Sequence, residues 1–405
     1  MIPFSPPYIS ENAIKAVEEV LRSGWITTGP VTKKFEQQLT AYCGNKKTLC
    51  VNSATAGLEL ILRWFGVGEG DEVIIPAYTY CATANVVVHC GAVPVMVDSG
   101  THDFNISVEG TRRAISPRTK VIVPVDLFGI PCDYDEINAL VREEPVKKMF
   151  QPENQVQQTL GRILVMADAA HSVGASYQGK KTGNLTDVSV FSFHAVKNLT
   201  TSEGGAIALN LPEPFDCEEI YKQLNISSLH GQSKDALAKT VKKGWRYDVL
   251  EAGYKVNMTD ILAAIGLSQL TEYEGIMRKR KHIFDRYSGA LKTYEWAVLP
   301  EHETEKKHSS FHVYNLRIKD TTEAVRDQII ETLFEKEVSV NVHFQPLPLL
   351  TCYKDKGYRI SDFPNAFKHY SCEISLPVFY NMTDEQVDEV IESLIFAVEK
   401  NSVNP

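Results

Sequence analysis

Between residues 47 and 210 the chain alternates short β-branched runs with helical stretches, and few folds accommodate that rhythm. The runs are TLCV, EVIIP, PVMVD, KVIVPVD, RILVMAD, VSVFSF and GAIAL. Near-continuous apolar strands are those buried on both faces, so the pattern predicts an α/β domain whose mainly parallel sheet is covered by helices on each side. Ahead of it, ENAIKAVEEVLRSG follows Ser10, sets Ile14, Val17 and Leu21 on one helical face, and stops at Ser23 and Gly24. From Thr259 a long helical pattern runs through LAAIGLSQL toward Tyr294, and its RKRK run at 278–281 reads as a solvated helix face. The C-terminal part reads as a smaller α+β unit with two helices and strands near SSFHVYNLRI, EVSVNVHF and ISLPVF. Its final helix is announced by a capping box of Thr383 and Gln386 and by Val387, Val390, Ile391, Leu394, Ile395 and Val398 at helical spacing. The expected division is a large domain over 1–258 and, over 259–405, a linking helix with a small domain.

Several function classes are disfavoured by composition. A chain of 405 residues that is 43% hydrophobic buries a large core, about two or three domains' worth by size alone. The net charge of −9 is spread along the chain, without the basic footprint that nucleic acid or anionic lipid demands. MIPFSPPYISENA lacks a secretion signal's basic start and apolar run, and no segment approaches the ~20 apolar residues of a membrane span. The eight cysteines are scattered and never form CxxC, which points to reduced thiols in a cytoplasmic protein and away from a metal site. The Gln-rich stretch from Glu143 to Leu160, broken by Pro145 and Pro152, reads as a surface insertion.

Ligands of open α/β sheets bind beyond the carboxyl ends of the strands, so polar residues directly after apolar runs are the first candidates. In VNSATAGLELILRWFG a strand ends at Val51, turns through Asn52 to Ala54, and places Thr55, Ala56 and Gly57 at a helix N-terminus. Small residues there let backbone N–H groups approach a phosphate, although such turns also serve ordinary packing. ILVMADAAH delivers Asp168 at a strand end, followed by His171. Alone, that Asp could equally cap a helix. VSVFSFHAVKNLTTSEGGAIAL puts Lys197 in a loop between two strands, flanked by Ser192, His194, Thr200, Thr201 and the Gly204–Gly205 pair. A lone loop lysine is ordinarily just solvated. Together, however, a phosphate cradle, a strand-end Asp and a loop Lys are the parts of a pyridoxal phosphate site. The amine condenses with the aldehyde, and an ionised Asp keeps the ring nitrogen protonated so that the ring withdraws electrons.

At these residues the chain resembles the DegT/DnrJ/EryC1/StrS family of sugar aminotransferases, of the aspartate-aminotransferase fold (fold type I). The likeness runs from SGWITTGP near residue 23 to SLPVF near residue 375. It implies that Lys197 holds pyridoxal 5'-phosphate as a Schiff base and shuttles the proton, that Asp168 pairs with the ring nitrogen, and that His171 approaches the ring hydroxyl. Thr55, Ala56 and Ser192 would hold the phosphate, and Tyr80 of PAYTYCAT would stack on the ring. The family is dimeric, and a GxNxRM-like segment reaches the neighbour's phosphate. Here that segment reads GYKVNM, with Lys255 in place of the usual Asn and Asn257 in place of the usual Arg; both side chains can donate to a phosphate. VDLFG carries Asp126 where relatives commonly have His, a change that bears on substrate contacts. VHFQPL resembles the family's substrate loop and would bring His343 toward the sugar or its nucleotide, although a strand-end His can also simply be packed.

The resemblance implies ping-pong transamination, with glutamate giving its amine to the cofactor, 2-oxoglutarate leaving, and a nucleotide-linked keto sugar taking the amine. GYKxNMTD and SGWITTGP look most like members that aminate C4, including the enzyme that makes a 4-amino-4-deoxy-arabinose nucleotide. Related sugar dehydratases carry His in place of the Schiff-base Lys, so Lys197 speaks against that chemistry. A non-catalytic pyridoxal-phosphate binder of the same fold is a further reading. A nicotinamide-dependent oxidoreductase lacks support, because no GxGxxG follows the first strand.

Overall fold

Seven strands form the central sheet of the computed structural model, which describes residues 1–233 and 246–402. They are β1 (Lys47–Val51), β2 (Glu72–Pro76), β3 (Val93–Val97), β4 (Thr119–Ile122), β5 (Leu164–Asp168), β6 (Val188–Ser192) and β7 (Gly205–Leu209). Their order is β1-β7-β6-β5-β4-β2-β3. β7 runs antiparallel to both its neighbours, and every other pairing is parallel. The mainly parallel α/β expectation therefore holds, and β2, β4, β5, β6 and β7 are buried along their whole length. Because the other strands all run one way, their carboxyl ends gather on one edge, where β1 leads into α3 (Ala54–Trp64) and β2 into α4 (Cys81–His89).

Two helices precede the sheet, α1 (Glu11–Ser23) and α2 (Pro30–Cys43), and both lie against the long helix α5 (Asp260–Leu291). α1 corrects the sequence reading, since Ala13 and Val20 are buried while Ile14 and Leu21 are 51% and 55% exposed. Ala13 brings α1 close to α5 and turns the larger apolar side chains outward. α2 was not foreseen, yet it carries the usual punctuation: Pro30 in the first turn, a left-handed Gly44 after the end, and buried Phe35, Leu39 and Cys43 one turn apart. Its N-terminal N–H groups are satisfied by Asp260, whose Oδ1 accepts from Gly29 N–H at 2.8 Å and Thr32 N–H at 2.9 Å.

The small antiparallel sheet is formed by β8 (Ala297–Val298), β9 (Tyr314–Ile318) and β10 (Glu373–Leu376). EVSVNVHF does not join it as a strand. Val338 bridges only to Ile2 and Asn341 only to Ser375, after which the chain leaves the edge and carries His343 and Phe344 into a cavity. The last helix, Asp384–Ser402, starts with the expected capping box: Thr383 N–H donates to Gln386 Oε1 at 3.0 Å and Gln386 N–H to Thr383 Oγ1 at 3.2 Å.

The stretch 143–160 stays mostly at the surface and is ordered as short helices, Glu144–Met149 and Gln155–Leu160, with Gln157 buried and its Nε2 donating to Phe65 O at 2.9 Å. Within the RKRK run Arg280 is buried, not solvated. Its Nε donates to Phe311 O at 2.8 Å and its Nη2 to His312 O at 2.6 Å, which fixes the entrance to β9. Among the described residues no helix is long and apolar enough to cross a membrane.

Candidate active site

A cavity of about 550 Å³ opens at the carboxyl ends of β1, β5 and β6, closed from the other side by His312, His343 and Phe344. Asp168 is the last residue of β5 and sits in its wall. Its Oδ2 accepts from Thr83 Oγ1 at 2.8 Å and its Oδ1 from Ala170 N–H at 3.2 Å. Burial raises its pKa above the ordinary Asp value, against the pull of those two donors and of Lys197.

Lys197 faces the same cavity from the loop between β6 and β7. The loop is held as a tight turn: Lys197 N–H donates to His194 O at 2.9 Å, and Thr201 N–H to Phe193 O at 2.9 Å. Thr200 N–H donates to Gln269 Oε1 of α5 at 2.8 Å. The threonines thus shape the loop that presents the lysine. Burial lowers the amine to about 8, with Asp168 opposing, so about a tenth is unprotonated at pH 7 and half near pH 8.

Opposite them, His171 accepts from Phe128 N–H at Nδ1, 3.2 Å. A neutral ring with Nδ1 so used carries its proton on Nε2. Burial first, then Lys197 and His343, hold its pKa well below 6.5, so the ring is neutral. The His312 ring lies 4.5 Å from it, centroid to centroid, with Nδ1 2.9 Å from Asn198 Oδ1. His343 also lines the cavity, with Nδ1 2.9 Å from Ser375 Oγ and its pKa pushed down to about 3, mostly by burial.

At the far end of the cavity α3 begins at Ala54, one residue earlier than the sequence suggests, and Ser53 is its cap. Thr55 and Ser192 line the wall, whereas the Ala56 N–H is directed at Ser53 Oγ, 3.1 Å away. Gly205 makes this meeting of elements feasible. A Cβ on it would lie 2.5 Å from Ala54 N and 2.8 Å from Phe191 O, so only glycine lets β7 bring the N-terminus of α3 against the end of β6. Tyr80 caps α4, stands 58% exposed at the rim, and has its ring 5.6 Å from that of Phe344.

Four sequence candidates do not line this cavity: Ala56, Lys255, Asn257 and Asp126. Lys255 and Asn257 lie outside it; Lys255 Nζ donates to Asn257 Oδ1, and Asn257 Nδ2 donates to Thr28 Oγ1 at 2.7 Å. Asp126 is wholly buried behind the wall. It accepts from Cys132 N–H at 3.0 Å, Tyr134 Oη at 2.6 Å and Ser172 Oγ at 2.6 Å, with its pKa pushed up to about 6 by burial. It is a satisfied structural carboxyl and not a substrate contact. Conversely, Thr83, His312 and Phe344 were missed. Thr83 is buried behind the lining, where it holds Asp168, and nothing in PAYTYCAT marks it out, while His312 lies inside an ordinary strand pattern.

The donor set suits a phosphorylated aldehyde on a heteroaromatic ring. It offers a helix N-terminus with two hydroxyls for the phosphate, a lysine of lowered pKa for the aldehyde, and a buried carboxylate for a ring N–H. Comparison with known proteins agrees with this inventory. The model of the DegT/DnrJ/EryC1/StrS aminotransferase family matches residues 7–150 and 154–395. A structure of the putative sugar aminotransferase Spr1654 from Streptococcus pneumoniae, in its PMP form, superposes with a TM-score of 0.95 at 45% identity, covering 99% of this chain and 100% of that one. The uncharacterized protein MJ1066 of Methanocaldococcus jannaschii is 40% identical over 404 residues, 98% of each chain. The spore coat polysaccharide biosynthesis protein SpsC of Bacillus subtilis is 37% identical over 397 residues, 97% of this chain and 96% of that protein.

Proposed function

Because the chain belongs to the DegT/DnrJ/EryC1/StrS aminotransferase family, we propose that it is a pyridoxal-phosphate-dependent aminotransferase that moves an amino group from glutamate to C4 of a nucleotide-linked keto sugar. The observation that carries the reading is the pairing of Lys197, its amine lowered to about 8, with buried Asp168 in one cavity. Likeness to SpsC supports a place in polysaccharide biosynthesis, and the scattered cysteines suit a cytoplasmic enzyme.

Bound here, pyridoxal phosphate supplies an aldehyde for amine exchange and a ring that withdraws electrons from the carbon losing its proton. Lys197 holds the aldehyde and, once released, moves the proton between two carbons as general base and acid. Asp168 keeps the proton on the ring nitrogen. His171, protonated at Nε2, donates to the ring hydroxyl, and Tyr80 covers the ring face. Thr55, Ala56 and Ser192 would hold the phosphate, which requires the Ser53 side chain to swing away and leave the Ala56 N–H to the incoming anion. His343 meets the sugar.

The test is an absorption spectrum of protein purified with pyridoxal phosphate, before and after glutamate. The band of the lysine-held cofactor is expected to give way to that of the pyridoxamine form. A band unmoved by glutamate or any other amino acid would favour a non-catalytic binder and overturn the transaminase.

We further propose a homodimer in which Lys255 and Asn257 reach the phosphate of the second copy. Ile14, Leu21, Val249 and Leu250 are 51% to 61% exposed in the single chain, apolar side chains that a second copy would cover. Light scattering at micromolar concentration should give twice the 45.3 kDa chain mass. A monomer would overturn both the dimer and the shared site.

A further inference from the structure

Behind His343, away from the cavity, stands a row of groups that the chemistry above does not use. Ser375 and Glu373, both on β10, are wholly buried. Ser375 Oγ lies 2.9 Å from His343 Nδ1 and donates to Glu373 Oε1 at 2.5 Å. The other carboxyl oxygen, Oε2, accepts from the His343 backbone N–H at 3.1 Å. The His343 carbonyl accepts from Tyr78 Oη at 2.8 Å, so the residue is clamped on both sides of its backbone.

These bonds restrict where a proton on Glu373 can sit. Oε2 faces an N–H that already brings a hydrogen, so a proton on the carboxyl belongs on Oε1, pointing at Ser375 Oγ. Two arrangements follow. With Glu373 ionised, Ser375 donates to Oε1 and accepts from Nδ1–H, leaving the Nε2 lone pair of His343 for the cavity. With Glu373 protonated, Oε1–H donates to Ser375, Ser375 donates to Nδ1, and Nε2–H points at the cavity.

We propose that Glu373 and Ser375 form a hydrogen-bond relay that decides whether His343 offers a proton or a lone pair to the substrate. Glu373 is then a positioning residue that never touches the substrate. The inference rests on the proposed function only for what fills the cavity; the relay itself is a property of the protein. Near neutral pH the ring is a donor, matched to an acceptor oxygen of the keto sugar, and in alkali it becomes an acceptor matched to a hydroxyl.

The surroundings support the sign. Burial raises Glu373 to about 8, against the weaker pull of Ser375, the His343 N–H and Arg326. Arg326 comes from the helix Glu323–Glu335 but directs its Nη1 to the Tyr370 and Glu373 carbonyls and its Nε to Asp327. Arg317 pairs opposite Glu373 on β9 but directs its guanidinium to His369 Nδ1 and His102 O, and Tyr78 and Cys372, also beside the carboxyl, have raised pKa values. On the cavity side His343 faces Lys197, His171 and His312. With its own pKa near 3, His343 stays neutral throughout, so the change is one of tautomer and not of ring charge.

The test uses the holoenzyme labelled with ¹⁵N-histidine and two-bond ¹H–¹⁵N spectra, which show which ring nitrogen bears the hydrogen. The His343 signal is identified by its loss in His343→Gln. Between about pH 6.5 and about pH 9.5 the Nε2–H to Nδ1–H ratio should move from about 30:1 to about 1:30, following the carboxyl. Glu373→Gln presents its carbonyl to the His343 N–H and its NH₂ to Ser375, so it should hold the Nε2–H form at both. One tautomer in the wild type at both pH values, or a variant that still follows pH, overturns the relay. Neither outcome bears on the glutamate test, so failure of the relay and failure of the transaminase reading are separable.

Discussion

Lys197→Ala should lose transamination by on the order of 10⁴-fold or more, because it removes both the covalent attachment of the cofactor and the group that moves the proton. The readout is single-turnover formation of 2-oxoglutarate from glutamate with pyridoxal phosphate in excess. A fold defect is not expected, since the turn around Lys197 is built from backbone and threonine bonds that the substitution leaves intact. The wild type carries a pH signature of its own. Its amine is lowered to about 8, so the rate of cofactor attachment should rise with pH through that value and then level off, as the neutral fraction grows. A variant that still turned over at the wild-type rate would remove Lys197 from the mechanism.

Much of this arrangement was legible because strands buried on both faces are written as unbroken apolar runs, and six of the strand-end positions follow from where those runs stop. Asp168 stood out for that reason, as a charged residue ending a run that a sheet must bury, whereas Lys197 is read from the loop between two such runs. The failures have the same physical origin, which is that partner surfaces are not written locally. Arg280 is charged, as a solvated helix face should be, but two carbonyls on the neighbouring chain segment satisfy it in the interior. Ile14 and Leu21 have core chemistry, yet Ala13 and Val20 win the contact with α5 because smaller residues let helices approach. EVSVNVHF has strand composition, but its end is pulled from the sheet edge toward the cavity, and only single bridges survive. Asp126 stands where relatives commonly have His, and the three donors that satisfy it behind the cavity wall come from segments its own neighbours do not announce. Neutral groups that act through geometry, such as Thr83 and Ser375, leave almost no signal in one sequence.

Thr83 matters for the second large effect, that of Asp168→Asn. The asparagine can be accommodated with its oxygen toward the Ala170 N–H and its NH₂ toward Thr83 Oγ1, which lies 3.1 Å from Thr79 Oγ1 and can donate there instead. No buried group need then lose a partner, so thermal stability should stay near the wild type. What disappears is the negative charge that keeps a proton on the ring nitrogen. Glutamate conversion should fall on the order of 10³-fold, the scale for removing a preorganised electrostatic contact, while Lys197 still attaches the cofactor. The pH dependence gives the sharper discrimination. Burial raises the Asp168 pKa, so cofactor affinity in the wild type should weaken as pH falls through a value above the ordinary Asp range, the carboxyl becoming neutral. Asp168→Asn should be weak already and lack that acid limb. A variant converting glutamate within a few-fold of the wild type, or keeping the acid limb, would mean that another group supports the ring nitrogen and that Asp168 only ties α4 to the end of β5.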